Sequence, residues 1–251
     1  MAPCPANFDD KVYKFLPTSR IDDVVKRGFV KIGSLSHYRK LETEAQWIAD
    51  KLEGQIVLDT GEIVVTDSSS EVDQMLPPSL AGRHIVVENG GQVIFAPGVK
   101  VTIEHPDVYI FSASKGELSD LKRTMCNEAA EPYDGCLQIL DLRHLAHRMF
   151  HRGIVDALGG TRMTKLFQSF ECSEVIYDVL FRKRGSGRAP EVSPFLKDKF
   201  FSGQQEVRIV FHPHRPIPVS TFTVRVPRPG QLFKEVFRAA GECVTARSSS
   251  P

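Results

Sequence analysis

The sequence predicts an α+β fold: mixed or antiparallel central sheets with flanking helices. Three observations predict it. Short runs rich in Val, Ile, Phe and Tyr recur along the chain, bounded by Gly, Pro, Asn and Asp. Apolar residues at helical spacing are confined to a few segments and do not alternate regularly with the strand-like runs, which argues against a parallel βαβ array. The length of 251 residues, with 41% hydrophobic and 25% charged, supports one sizeable core. The expected organisation is a flexible arm over 1–10, one domain over 11–240 and a disordered tail over 241–251.

Residues 11–16 (KVYKFL) read as the first strand. Pro17, Thr18 and Ser19 give a turn and a cap, and 20–27 fit a helix with Ile21, Val24 and Val25 on one side. Gly28 ends it. A second strand is expected over 29–32 and a turn over 33–36. Tyr38, Leu41, Ala45, Ile48 and Leu52 recur at helical spacing through 38–52. Strands at 55–58 and 63–65 flank Asp59-Thr60-Gly61-Glu62 as a hairpin. Residues 67–78 are polar and Pro-bounded, an insertion by composition. Strands follow at 84–87, 92–95 and 99–103, the first two joined by Asn89-Gly90-Gly91.

Another strand covers 108–112, and 116–126 fit a helix or an ordered loop. A buried strand at 136–140 leads to Asp141, which caps a helix to about 150. A further helix is expected at 161–170, strands at 174–181 and 205–211, a basic glycine-rich loop at 182–190, a strand at 219–226 and a last helix at 231–240.

Charge and cysteines narrow the function classes. The formal net charge of +1 argues against a general electrostatic grip on nucleic acid or an anionic membrane, leaving only local patches. Five scattered cysteines form no CxxC pair, so neither a zinc ribbon nor a disulfide framework is expected, and a reducing, cytoplasmic setting is. The first residues lack a signal-peptide layout, and no apolar run reaches the roughly 18–20 residues of a membrane span. No P-loop, dinucleotide fingerprint, nucleophile elbow or HExxH motif occurs.

The strand 204–211 (QQEVRIVF) is the most informative stretch. Alternation puts Gln204, Glu206 and Arg208 on one face, either lining a cleft or forming a solvated face with a Glu–Arg pair worth about 0–1 kcal/mol. Ser112 and Ser114 share a face at a strand end, where two hydroxyls either hold a ligand and orient a carboxylate or cap the turn at Lys115-Gly116. His144, His147 and His151 share a helix face; with no further ligand nearby, a histidine face outweighs a metal site. Asp50 and Glu53 form either an acid/base pair or a charge network with Arg39 and Lys51.

Several short motifs carry a resemblance. The Tyr13-Lys14-Phe15 strand, the GFVKIGSLS segment from Gly28, an Asp50-x-x-Glu53-Gly54 element, the Ser-rich strand end at 111–114, Tyr133-Asp134-Gly135 and a Lys197-Asp198…Gln204-x-Glu206-x-Arg208 strand follow the layout of a loose group of bacterial proteins. That order resembles the ADP-ribosyltransferase superfamily, including toxins of the DarT kind. The resemblance implies a split sheet and an enzyme, of toxin or phage-defence type, that cleaves the nicotinamide–ribose bond of NAD. Transfer of ADP-ribose to a protein or nucleic-acid acceptor is implied with it. It further implies Glu206 and Gln204 as catalytic residues, Ser112 and Ser114 beside the nicotinamide ribose, Lys14 (or Arg20) at the first-strand position, and Lys14, Arg39 or Arg208 on the pyrophosphate. Two other classes stay open: a non-catalytic binding or sensing module, and a metal-dependent nuclease using Asp134, Glu171, Glu174 and Glu206.

Overall fold

The structure, a computed structural model, describes residues 11–40, 52, 54–59, 63–65, 93–95, 100–128, 133–183 and 189–238. The expected arm, tail and insertion lie outside them, as do Asp50, Glu53, the 84–87 strand and its Asn89-Gly90-Gly91 turn. The chain is mixed α+β, with mostly antiparallel sheets and few helices. No described helix is long and apolar enough to cross a membrane.

β7 (Tyr109–Lys115) organises the main sheet. Along one edge it carries β15 (Glu206–Pro213), which in turn carries β11 (Phe167–Glu174). Its other edge is divided. β2 (Phe29–Ser34) pairs with Tyr109 and Ile110, whereas β1 (Val12–Leu16) pairs with Ser114 and Lys115. Neither register reaches 111–113 on that edge, so the sheet forks there. One limb continues from β2 through β16 (Thr221–Arg225), β9 (Ile154–Val155) and β10 (Thr161–Arg162); the other continues from β1 through β8 (Gly135–Ile139) and β17 (Phe233–Arg238).

Residues opposite each other in an antiparallel ladder point to the same side. On one face of the β7–β15 pair lie Tyr109/Phe211, Phe111/Ile209 and Ala113/Val207. They enter the largest apolar core with Ile21 of α1 (Ile21–Val25) and Leu145 and Met149 of α4 (Leu142–Arg152). On the other face lie Ile110/Val210, Ser112/Arg208 and Ser114/Glu206. Only the first of these pairs is apolar; it packs with Leu35 of α2 (Leu35–Lys40) and Phe195.

α4 forms as expected: Asp141 is extended, and its side chain accepts from His144 N–H at 2.8 Å, so the cap is real. Several expectations are corrected. The 231–240 helix is the strand β17, because the free edge of β8 offers Phe233–Arg238 a ladder that outweighs local helix propensity. The 161–170 helix is four residues, α5 (Met163–Leu166), and Phe167 and Phe170 belong to β11, where pairing with β15 buries both rings. The 33–36 turn is absent: β2 runs to Ser34 and straight into α2.

β3 (Gln55–Asp59) and β4 (Ile63–Val65) are not a hairpin. β3 pairs with β6 (Lys100–Glu104) and β13 (Phe181–Lys183), and β4 with β5 (Val93–Phe95). The strand expected at 174–181 is broken between β11, β12 (Ile176–Asp178) and β13, since each pairs with a different partner. Residues 116–126 contain α3 (Leu118–Lys122), followed by a wide helical turn.

Candidate functional site

The fork opens a cleft of about 380 Å³, within the range of roughly 300–1,000 Å³ typical of small-molecule sites. Its lining includes Lys14, Arg20, Ser112, Ser114, Gln204, Glu206 and Arg208, so seven of the eight residues singled out by the resemblance meet in one place. The eighth, Arg39, is absent from the cleft. It sits on α2 and pairs with Glu104 at 3.3 Å, while its neighbours His37 and Tyr38 do line the cleft. Arg39 therefore lies outside the group that meets at the fork.

Lys14 is explained by the fork. Lys115 N–H donates to Gln205 O at 2.8 Å on the β15 side. Alternation then turns the Ser112 carbonyl to the divided edge, where no strand N–H meets it. The Lys14 ammonium fills that gap, donating to Ser112 O at 2.6 Å with its charge 5.1 Å from the Phe111 ring. Burial lowers the Lys14 pKa to about 8, opposed by the Glu206 carboxylate and aided by Lys31.

Glu206 lies directly across from Ser114, buried at 7% exposure. Its carboxylate is enclosed by donors. Arg208 Nε reaches Oε1 at 2.7 Å, Arg208 Nη2 reaches Oε2 at 3.2 Å, and Lys197 Nζ reaches Oε2 at 2.9 Å. The Ser112 hydroxyl, on the same face, helps to hold the carboxyl in its charged form. Oε1 accepts one of the three cationic hydrogen bonds and Oε2 two. Burial pushes the Glu206 carboxyl up, but the Arg208 and Lys197 charges and the hydrogen bonds from Arg208 and Ser112 outweigh it and hold the group well below the usual carboxylate range.

Gln204 reaches the same place by another route than strand alternation. It ends a 3₁₀ turn (Lys199–Gln204), and β15 begins only at Glu206. Gln205 between them is left-handed (φ 43°), so the side chains of Gln204 and Glu206 both meet Lys197 Nζ, each at 2.9 Å. Gly116 makes this corner possible. Its φ is +128°, and a Cβ there would fall 2.4 Å from Gln205 Oε1. The Glu206 N–H donates to the Tyr177 hydroxyl at 2.7 Å, which fixes the strand start.

Lys197 is the residue that sequence reasoning missed. It appeared in the Lys-Asp motif with no role, yet it is 3% exposed, bridges Gln204 to Glu206 and lies 4.8 Å over the Phe201 ring. Arg208 has a different part from the one expected: two of its guanidinium nitrogens bind Glu206 and the third donates to Pro194 O. It holds the carboxylate rather than presenting itself to a pyrophosphate.

Charge in the cleft is one-sided. Among the described residues Lys14, Arg20, Lys31, Lys197 and Arg208 line it, against Glu206 as the one carboxylate. Aromatic residues, among them Tyr13, Phe29, Tyr38 and Tyr133, form much of the remaining wall. A ligand with an anionic centre and flat rings matches such a surface.

The four acids expected for a nuclease do not converge. Asp134 accepts from Thr18 N–H, Glu171 pairs with His212, Glu174 pairs with Lys115, and Glu206 sits in the cleft. Among the described residues no group of three or more His, Cys, Asp and Glu could hold a metal, the helical histidines included. No protein-family model, no curated protein and no solved structure matches this chain at significant similarity.

Proposed function

We propose that the chain is an ADP-ribosyltransferase-like enzyme that takes NAD into the forked cleft and cleaves its nicotinamide–ribose bond. The observation that carries this reading is the meeting of Glu206 with Ser112 and Ser114 at the fork, beside Lys14. A divided sheet is what the resemblance implies, and the cation excess and aromatic walls suit a pyrophosphate joined to two flat bases.

In the reaction, the electron pair of the C–N bond leaves with nicotinamide, whose ring becomes neutral. Positive charge develops on the ribose until the acceptor attacks and gives up its proton. A carboxylate aimed at the ribose stabilises that charge more than it stabilises the ground state. Glu206 would supply it, Ser112 and Ser114 would hold the sugar side, and Gln204 would orient a protein or nucleic-acid acceptor or water. Lys14 and Lys31 would offset the pyrophosphate. Because Oε2 already accepts from two cations, a ribose hydroxyl that reaches it must displace one; Lys197, joined through a single ammonium, is more easily moved than the two-point Arg208.

The hold of Arg208 and Lys197 on Glu206 favours a second reading, a sensing module that binds the nucleotide without turning it over. Calorimetry with NAD, paired with an assay of nicotinamide release, separates the two. The expected outcome is binding and release by the native protein. In Glu206→Gln, with the fold checked by circular dichroism, binding persists and release falls by about 10²-fold or more. Binding without any release selects the sensor; release that is unchanged in Glu206→Gln removes Glu206 from catalysis; absence of binding ends both readings.

A further inference from the structure

Away from the cleft, α4 carries a second concentration of charge. Its inward positions, including Leu145, Ala146, Met149 and Phe150, are buried in the main core. Its six outward positions are Arg143, His144, His147, Arg148, His151 and Arg152, with no other residue type among them. These six, with Asp141, Pro227 and Arg228, line a surface groove of about 560 Å³. A solvated helix face in this protein looks different: on and beside α1, Arg20 and Arg27 pair with Asp23, and Lys26 pairs with Asp22. The chain as a whole has 32 basic and 31 acidic residues, so the bias of α4 is local.

The groove is built rather than incidental. Arg148 ties its walls together, donating to Pro227 O and Arg228 O at 3.3 Å and to Gln231 Oε1 at 3.1 Å. Its Nη2 also lies 2.7 Å from His144 Nε2. Arg228 is held at φ 55° on the rim, a conformation that non-glycine residues seldom adopt. Asp141, the one acid among the described residues of the lining, is engaged in capping the helix. Arg143, Arg152 and Arg228 have no carboxylate partner among the described residues. From Arg143 to Arg152 the row extends about 13 Å along the helix.

We propose that this groove binds the phosphate backbone of RNA or DNA. A row of that length suits a polymer with regularly spaced charges better than a single small anion. Arginine, the only permanently charged residue on the face, presents the planar fork that grips phosphate oxygens at two points. The stacked rings of His147 and His151, 5.6 Å apart, add polar edges and flat faces beside the row. This site is independent of NAD binding in the cleft.

The test is fluorescence anisotropy with short labelled single strands, RNA in one arm and DNA in the other, using the full chain and no NAD. At about 50 mM salt binding is expected, and log K is expected to fall with log salt with a slope near −2, three unpaired arginines each contributing about −0.7. The double variant Arg143→Glu/Arg152→Glu changes only exposed positions; with an unchanged melting temperature it is expected to bind at least about tenfold more weakly. Whichever arm binds tighter identifies the nucleic acid. The proposal is overturned by absence of binding in both arms at low salt or by undiminished binding in the variant. It is equally overturned if polyglutamate of equal charge displaces the strand as well as unlabelled oligonucleotide does, since that marks an acidic protein surface as the partner.

Discussion

The two faces of the β7–β15 ladder share one backbone and nearly equal burial, yet they are held by different physics. On the core face, Phe111/Ile209 and Ala113/Val207 gain from leaving water and from close packing. On the cleft face, Ser112/Arg208 and Ser114/Glu206 place a carboxylate and its cations where water is scarce, so each charge is tolerable only while the others remain. Apolar burial tolerates gradual change, whereas a buried ion network fails when one member is removed. A region of the second kind suits a ligand site, because a ligand can exchange with one of its members.

Charge removal should give the largest effect. Glu206→Leu leaves Arg208 and Lys197 buried without a counter-ion and is expected to destabilise the protein by about 3–5 kcal/mol in urea unfolding. Replacing the whole network, Glu206→Leu with Lys197→Met and Arg208→Met, should recover most of that loss. On the opposite face Phe211→Ala should cost a similar amount, about 3–5 kcal/mol, with no such rescue by neighbouring changes. If the triple variant is no more stable than Glu206→Leu, the contrast between the two faces is wrong.

Lys14 gives a pH-dependent test. Its folded pKa is about 8 against an ordinary value of 10.5. Between those values the unfolded chain holds a proton that the folded chain has released, so stability rises with pH across that window and is flat below it. Relative to Lys14→Met, the native protein should gain up to about 3 kcal/mol from pH 8 to 10.5, read from urea midpoints at both ends. A constant difference would mean that the ammonium is not desolvated in the fork.

The smallest effects sharpen the comparison most. Ser112→Ala removes a hydroxyl that helps to keep Glu206 charged and is expected to cost about 1 kcal/mol at neutral pH. The Glu206 pKa is depressed in the folded state, so its contribution is present above the unfolded pKa and lost as pH falls below it. The Ser112→Ala difference should therefore shrink in acid. Ile209→Val, across the sheet, should cost about 0.5–1.5 kcal/mol at every pH. Equal pH dependence for the two variants would show that the hydroxyl does not support the carboxylate.

Much of this was legible in the chain. Asp141 before Leu142 announced the capped helix α4, and the alternation in 206–211 announced β15, because both patterns depend on local geometry. The polar cluster Ser112, Ser114, Glu206 and Lys14 was legible through short motifs, and the structure brings those residues together at the fork. Arg39 was misplaced because which way its helix faces depends on β2 and β6, not on its own neighbours. Lys197 was missed because nothing local marks a lysine as buried; its burial comes from Phe201, Gln204 and Glu206 closing over it.

What the sequence by itself determined was the set of strands with strong alternation, the caps and turns that bound them, the mixed α+β class and the chemistry available to a site. Those properties follow from interactions within a few residues, which the order of side chains specifies. Tertiary structure alone decided that 233–238 extend along β8, that 167–170 leave the helix for β15, and that β1 and β2 part company at the middle of β7. Each of these depends on a partner edge supplied from far along the chain, and the fork that results is what brings segments distant in sequence into one cleft.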